Sequence, residues 1–504
     1  MLQNLLRLTR NSLGYFVANF VSVFLAVIFL PLYTRFLTPA DYGIISIAAS
    51  VTAFLLAFLQ LGLMGAYARF YFDFKHDTAE LKRHISTIFI FLTFYGLLLT
   101  LLITFLGKGI QAFIPGVPFS PYIQLAIWSS YLSLLFQLRL TLYQTEQKAK
   151  QYAGIFIANV VFQTILTIVL VVVFKKGALG YITAGLASNF VFSLASLLLL
   201  RQYLSPIIDI AKLRTSLRYG LPLVPHMLGG WMFVLADRMI LNKLVNTAET
   251  GLYSVGYQIG AAMNIVAMSI NFAWSPFFMS QMKDKGDEAK GEVARFATYW
   301  VTVMCFVFLL LSLFSHEATA LLTGQPYHGA YKIVPLVALG YLFGGFYYVV
   351  VNPLFWLGKT PLIAVATVTG GLLNVGLCFL FIPHMQMMGA ALATALSNLY
   401  CFLFIAFFSL RSFKIPYEYK RLAIVLVITG MCYLLSLPVS HIGNIYIAFA
   451  VKLPIIAAFP ILLILARFPE LAEKKAVGEL VKTTMSSVRT RATNLFGRFK
   501  GTGK

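Results

Sequence analysis

The chain repeats itself. Arg35 to Ser46 reads RFLTPADYGIIS, and about 208 residues later Lys243 to Ser254 reads KLVNTAETGLYS. A second pair, at an offset of 209, sets Gly180 to Asn189 (GYITAGLASN) beside Gly389 to Asn398 (GAALATALSN). Two matches at nearly one offset mark a tandem repeat. If six membrane helices lie between equivalent points, both copies enter a bilayer in the same direction and are related by an axis along its normal, an arrangement typical of transporters.

Composition supplies the bilayer. Hydrophobic residues make up 60% of the 504, charged residues only 11%, and there are 45 Phe. A water-soluble protein could not cover so much apolar surface. Crossing a hydrocarbon core of about 30 Å takes about 20 helical residues, and fourteen stretches qualify: 10–34, 43–70, 85–107, 121–142, 153–174, 178–200, 219–241, 251–280, 295–322, 331–357, 361–383, 387–410, 419–438 and 445–467. The expected fold is an all-α polytopic membrane protein of about 14 transmembrane helices, with two six-helix lobes related by a parallel repeat plus two extra helices. Residues 1–203 form the first lobe, 204–218 a basic cytoplasmic linker, 219–410 the second lobe, 411–467 the two additional helices and 468–504 a basic cytoplasmic tail.

Loop charge sets the expected orientation. With the N-terminus inside, about 30 of the 39 Lys and Arg fall on the inner side and about 6 on the outer. The positive-inside rule then makes both termini cytoplasmic. The net charge of +22 reads as a topology signal and calls for no nucleic-acid partner. The apolar stretch Leu13 to Tyr33 is too long for a signal-peptide core and has no small-residue cleavage site, so it reads as a retained anchor. Cys305, Cys378, Cys401 and Cys432 all fall in spans, form no Cys-x-x-Cys pair and read as packing residues. In the tail, Leu480, Thr484, Val488, Leu495, Phe496 and Phe499 suggest an apolar face able to lie on anionic lipid, against the alternative of a solvated, partly disordered segment.

Catalytic chemistry is hard to find. The 7 His and 17 acidic residues are scattered, with no His-x-x-x-His, phosphate-binding lysine loop, nucleophile elbow or Gly-x-Gly-x-x-Gly. No catalytic residue, metal or cofactor is expected. A proton or sodium gradient is left open as the driving force, with His226 the histidine considered for proton coupling.

Charges inside the spans carry more information, since each costs about 2.5–3.5 kcal/mol even on insertion scales. Arg69 ends the second span in AYARFYFD, Arg139 lies near the inner end of the fourth in FQLRLTLY, and Asp237 and Arg238 lie within the seventh in WMFVLADRMIL. At the repeat offset, Asp237 and Arg238 face Phe29 and Leu30, so the charge pair breaks the symmetry of the lobes. One reading gathers Arg69, Arg139 and Arg238 around a cationic cavity between the lobes, where guanidinium forks would hold an anionic substrate such as a pyrophosphate. The structural alternatives are that Asp237 neutralises Arg238 or a neighbour, and that Arg69 and Arg139 snorkel to headgroups. Adjacent helical residues point about 100° apart and need not pair.

Asp41 and Gly43, matched by Glu249 and Gly251, read as helix-start acid and close-packing residue. Asn19, Gln60, Asn159, Gln163, Asn189, Asn264, Asn271, Asn374 and Asn398 could line a sugar path or tie helices together. The run Gly220-Leu221-Pro222-Leu223-Val224-Pro225, followed by Gly229-Gly230, predicts a kinked seventh helix. Pro276 and Pro353 are considered as further kinks.

FLPLYTRFLTPADYGIISI, AYARFYFD, LADRMILNKLVNTAETGLYSVGYQIG and FWLGKTPLIA together resemble the polysaccharide biosynthesis export proteins, the oligosaccharide or O-antigen flippases, over residues from about 10 to 465. These share a superfamily with multidrug and toxin exporters and the lipid II flippase. The resemblance implies a multi-pass bacterial inner-membrane protein that moves an undecaprenyl-pyrophosphate-linked oligosaccharide between leaflets by alternating access. It implies Arg69, Arg139 and Arg238 as cavity cations, membrane lipids as partners and contact with polysaccharide polymerase machinery. The lipid II flippase itself, an ion-coupled drug exporter, a membrane glycan polymerase or ligase, and a structural scaffold are the rival readings.

Overall fold

In hydrocarbon every backbone N–H and C=O must be satisfied within the protein, and helices do this locally. The computed structural model describes residues 15–468 except 16, 19, 75, 113, 206–207, 442–444 and 467, and among these it is helical with no strand. The tail from 469 onward and Asn19 therefore lie outside the described residues.

After helical residues 20–28, α1 runs Leu30–Phe36, α2 Pro39–Gln60, α3 Leu63–Phe74, α4 Thr78–Phe105, α5 Gln124–Thr145, α6 Ala149–Ile168 and α7 Gly177–Leu200. A short helix, α8 (Ile210–Gly220), leads to α9 (Val224–Val234), α10 (Ala236–Leu244), α11 (Thr247–Gly260) and α12 (Ala262–Lys285). Then come α13 (Lys290–Leu313), α14 (Ser315–Leu322), α15 (Val334–Trp356), α16 (Thr360–Ser412), α17 (Tyr419–Ser436) and α18 (Ile445–Leu465).

Among the described residues, ten helical stretches are long and apolar enough to cross a membrane, or eleven if the bent pair α8–α9 and α10 is one span. Two of them hold more than one crossing. Thr247–Leu313 spans 67 residues and passes a left-handed Gly286 (φ 55°). Thr360–Ser412 spans 53 residues and reverses at Gln386 (φ 51°, ψ −127°), so that Asn374 Nδ2 meets Thr394 Oγ1 at 3.3 Å and Cys401 Sγ meets Ala366 O at 3.2 Å. In a straight helix those partners would lie roughly 30–50 Å apart, at about 1.5 Å per residue. The protein is a multi-pass membrane protein.

Packing divides the chain into two units. The first comprises residues up to Ala289 and Phe314–Ile415. Within it the repeat is visible atom by atom. Ser254 Oγ donates to Ser46 Oγ at 2.7 Å, and the two residues are 208 apart. A Cβ on Gly43 would lie 1.9 Å from Thr247 O, and one on Gly251 would lie 1.8 Å from Pro39 O. These are the same contact reflected, since 39 and 43 correspond to 247 and 251. Helices α2 and α11 thus cross with backbones touching, which only glycine permits.

The helix starts beside this seam are fixed by capping. Thr38 and Asp41 form a reciprocal box, Thr38 Oγ1 accepting from Asp41 N at 3.1 Å and Asp41 Oδ2 accepting from Thr38 N at 3.0 Å, with Pro39 where no N–H is needed. Asp41 Oδ1 also accepts from Ala178 N at 3.1 Å, tying the start of α7 to that of α2. In the second lobe Asn246 Oδ1 caps α11 by accepting from Glu249 N at 2.8 Å.

Loops cross the seam in the same symmetric way. Thr34 Oγ1 accepts from Gly324 N at 3.0 Å, and Tyr327 OH donates to Leu37 O at 3.0 Å. At positions 208 away from Thr34 and Gly324, Asn242 Nδ2 donates to Pro115 O beside Gly116 at 2.6 Å. Each lobe's connecting loop is thus hydrogen-bonded to a side chain of the other lobe.

The second unit holds α13 with α17, α18 and the residues around them. Phe308 packs on Tyr433 at 5.7 Å between ring centroids and Phe306 on Phe459 at 5.9 Å. Arg421 bonds Glu418 at 3.0 and 3.1 Å and lies 4.5 Å over Phe468. The sequence division puts residues 290–313 in the second lobe. By packing, α13 groups with the two helices outside the repeat, because its buried face is met by their rings.

A Gly43→Ala or Gly251→Ala substitution should force α2 and α11 apart and lower stability by about 1–3 kcal/mol, the usual penalty for overpacking. Gly230→Ala, whose Cβ would meet nothing within 4 Å, should leave the melting temperature in detergent unchanged. Equal melting for Gly43→Ala and the parent would refute the seam.

Candidate functional site

The seventh span breaks where its charges lie. Leu235 has φ −131°, ψ −19°, and α9 and α10 meet at a 52° bend. The prolines foreseen as kinks do something else: Pro222 lies in a tight turn and Pro225 starts α9, where its missing N–H costs nothing. His226 is exposed on that first turn. Pro276 and Pro353 sit inside uninterrupted helices.

A break leaves N–H groups of the new helix and carbonyls of the old one unsatisfied. Asp237 and Arg238 answer both needs. Asp237 Oδ1 accepts from Arg238 N at 2.8 Å, the placement favoured for an acid in a first turn. Arg238 Nη1 donates to the freed Val234 O and bonds Asp237 Oδ1 at 2.9 Å. Tyr253 OH donates to Asp237 Oδ2, so both carboxylate oxygens are engaged. The guanidinium lies 4.3 Å from the Tyr257 ring centroid and 5.5 Å from that of Tyr253, while Tyr257 OH bonds Tyr341 OH at 3.0 Å. Asp237 is fully buried and Arg238 is 7% exposed. The adjacent residues do pair, because the helix restarts just before them.

Arg139 stands differently. It is 4% exposed, yet its Nε and Nη1 have no hydrogen-bond partner. Its guanidinium lies 4.1 Å from the Tyr143 ring centroid and 5.9 Å from that of Tyr203. The carboxylate of Glu146, on the next turns, accepts from Tyr203 OH at 2.7 Å through Oε1, while Oε2 lies 2.9 Å from Lys148 Nζ and makes no hydrogen bond. Cation–π contacts give about 0.5–2 kcal/mol each, less than the several kcal/mol needed to desolvate an ion. The geometry therefore leaves two buried donors of Arg139, Nε and Nη1, without an acceptor on α5.

Arg69 is half-exposed and bonds Asp73 at 2.8 Å one turn along α3. It shares no partner with Arg139, and neither shares one with Arg238. Each has its own contacts: Arg69 a surface ion pair, Arg139 two tyrosine rings and Arg238 a carboxylate and two tyrosine rings. Several buried amides tie helices together. Gln60 bonds Gln137 at 2.6 Å, Asn159 bonds Ser188 at 2.9 Å, and Asn189 bonds Ser129 at 2.9 Å. The sequence reading missed the tyrosines. Tyr253 and Tyr257 carry an i, i+4 signal on α11, whereas Tyr341 arrives from 84 residues away with none.

Asp237→Asn should strand Arg238 as a buried unpaired charge and destabilise the protein by about 3–5 kcal/mol. Asp237→Asn combined with Arg238→Gln should melt higher than Asp237→Asn alone. A double variant that melts lower than either single one would argue against the pair.

Residues 32–332 match the family described as polysaccharide biosynthesis protein. A Haemophilus influenzae protein named for the Lsg locus is 22% identical over 376 residues, covering 73% of this chain and 90% of that protein. Among solved structures, the lipid II flippase MurJ in an inward closed conformation superposes with a TM-score of 0.69 at 15% identity, covering 91% of this chain and 99% of that one. An inward-facing multidrug resistance MATE transporter superposes at 0.60 with 14% identity, covering 81% and 95%. The fold is that of these transporters, and the chain belongs to the polysaccharide biosynthesis protein family.

Proposed function

We propose that this protein is a flippase that carries an undecaprenyl-pyrophosphate-linked oligosaccharide from the inner to the outer leaflet of a bacterial cytoplasmic membrane by alternating access, with both termini cytoplasmic. It works as a transporter and makes no glycosidic bond. The observation that carries this reading is the symmetric seam of α2 and α11, where Ser46 meets Ser254 and each lobe's loop is hydrogen-bonded to the other lobe. Two like lobes facing each other across a symmetric contact are the arrangement in which one can rock against the other. Family membership directs the reading to glycan precursors.

The physical task fits. A sugar diphosphate loses its water in hydrocarbon at prohibitive cost, while its polyprenyl tail already partitions there. Only the headgroup needs a wet path. Arg139 is the cation proposed to meet the diphosphate, since two of its buried donors have no acceptor. Arg69 could guide substrate at the rim once released from Asp73. Arg238 and Asp237 act as the clasp of a broken helix. The drug-exporter alternative needs an intramembrane carboxylate free to take a cation or proton, and Asp237 has both oxygens engaged. The lipid II alternative is favoured by the MurJ fold and is distinguished by substrate.

The test is leaflet transfer in proteoliposomes of a labelled undecaprenyl-pyrophosphate oligosaccharide, with lipid II in parallel, under imposed proton or sodium gradients. Arg139→Gln should lower transfer about tenfold or more, the worth of a charge-assisted contact of about 1.5–3 kcal/mol, with Arg139→Lys retaining part of it. Ser46→Cys with Ser254→Cys should stop transfer when oxidised and resume it when reduced. Transfer of lipid II alone would move the assignment to that substrate. No transfer of either above protein-free vesicles would overturn the flippase reading.

A further inference from the structure

The helix α8 lies between the lobes in sequence, and its two faces differ. One is bound to the first lobe. Lys212 Nζ bonds Glu80 at 2.5 Å, Asp209 N donates to Thr87 Oγ1 at 3.0 Å, and Gly220 packs so closely on Gly62 that a Cβ on Gly62 would lie 2.1 Å from Gly220 O. Asp209 caps the helix, accepting from Lys212 N at 3.0 Å, and that hydrogen bond holds its carboxyl below the usual range. Ser216 is fully buried.

The other face is largely exposed, with Leu217 partly packed on the core of the first lobe. Ile210, Arg214, Leu217, Arg218 and Leu221 fall on one stripe at i, i+4, i+7, i+8 and i+11. Ile210 is 76% exposed, Leu221 is 49% exposed, and both arginines are exposed. No acidic side chain pairs with Arg214 or Arg218 among the described residues. A shallow cleft of about 670 Å³ runs along this stripe, lined by Ile210, Leu213, Arg214, Leu217, Arg218 and Leu221. Large apolar side chains flanking two unpaired guanidiniums suit one environment: the boundary where acyl chains give way to phosphate. Arginine forks match phosphate oxygens, and Ile210 and Leu221 match the chains below them.

We propose that the exposed face of α8 is a binding site for an anionic phospholipid, whose phosphate bridges Arg214 and Arg218 while its acyl chains cover Ile210 and Leu221. Bound lipid is thereby attached to the segment that joins the lobes, through an element already bonded to α3 and α4. This inference is independent of what the protein carries.

The test places a fluorophore at Thr215→Cys, an exposed position on α8, in the full-length protein whose four native cysteines are buried. The labelled protein is reconstituted in phosphatidylcholine with either brominated phosphatidylglycerol or brominated phosphatidylcholine as the minor lipid, and quenching is compared. Two basic side chains at a surface should enrich the anionic lipid on the order of tenfold, so brominated phosphatidylglycerol should quench at a correspondingly lower mole fraction. Arg214→Gln with Arg218→Gln should remove the preference, and Arg214→Lys with Arg218→Lys should retain most of it. Equal quenching by the two lipids in the parent, or a preference unchanged in the glutamine variant, would overturn the proposal. A glutamine variant that keeps its elution profile and melting temperature excludes misfolding as the cause.

Discussion

Lipid tails are as apolar as leucine, so nothing like the aqueous hydrophobic effect presses two membrane lobes together. What joins them here is backbone approach. Gly43 against Thr247 and Gly251 against Pro39 let α2 and α11 touch along their main chains, and this contact brings Ser46 and Ser254 within hydrogen-bond range in a buried setting. The same closeness lets the loops reach across to Thr34, Leu37 and Asn242. A seam of this kind is strong while packed and loses most of its attraction over a small separation, because dispersion falls steeply with distance. Lobes that must part and rejoin are served better by such a contact than by an extended greasy interface.

The buried charges divide along a different line. Asp237 and Arg238 form a closed set with Val234 O, Tyr253 and Tyr257, in which each donor and acceptor restores what the break at Leu235 removes. Arg139 belongs to no such set. Its tyrosines offer ring faces, and Glu146 is held by Lys148 and Tyr203. An arginine whose donors are met by its own helix and an arginine with buried donors left unmet can thus look alike in sequence, each set in an apolar run.

This marks how far the sequence could be read. The repeat offset was legible because the seam demands the same small residues twice, and Ser46 meets Ser254 at that very offset. The helical spans were legible because lipid leaves the chain no other solution. The break at Leu235 was not, since no glycine or proline stands there and the prolines nearby serve as helix starters. Without the break, the 100° rule separated Asp237 from Arg238, and an anion site seemed the better use for the arginine. The partnership of α13 with α17 and α18 was equally hidden, because a twelve-helix count assigns every span between 219 and 410 to one lobe, and only packing tells which neighbour a helix chooses.

The asymmetry of the charge pair has an explanation in the repeat itself. In the first lobe the equivalent helix reaches a turn at Phe29, just before α1 begins at Leu30. There Ala26 O accepts from Gln258 Nε2 at 3.2 Å. The residue 208 further on is Val234, whose carbonyl accepts from Arg238. In both lobes the carbonyl at this position accepts from a side chain, but in the first the donor comes from the other lobe and in the second from the same helix segment. Position 258 corresponds to Ser50, too short to return the favour, so the second lobe needs a long donor nearby and an acid to neutralise it. Asp237 and Arg238 replace a missing glutamine. On this account the pair breaks sequence symmetry in order to preserve a structural one.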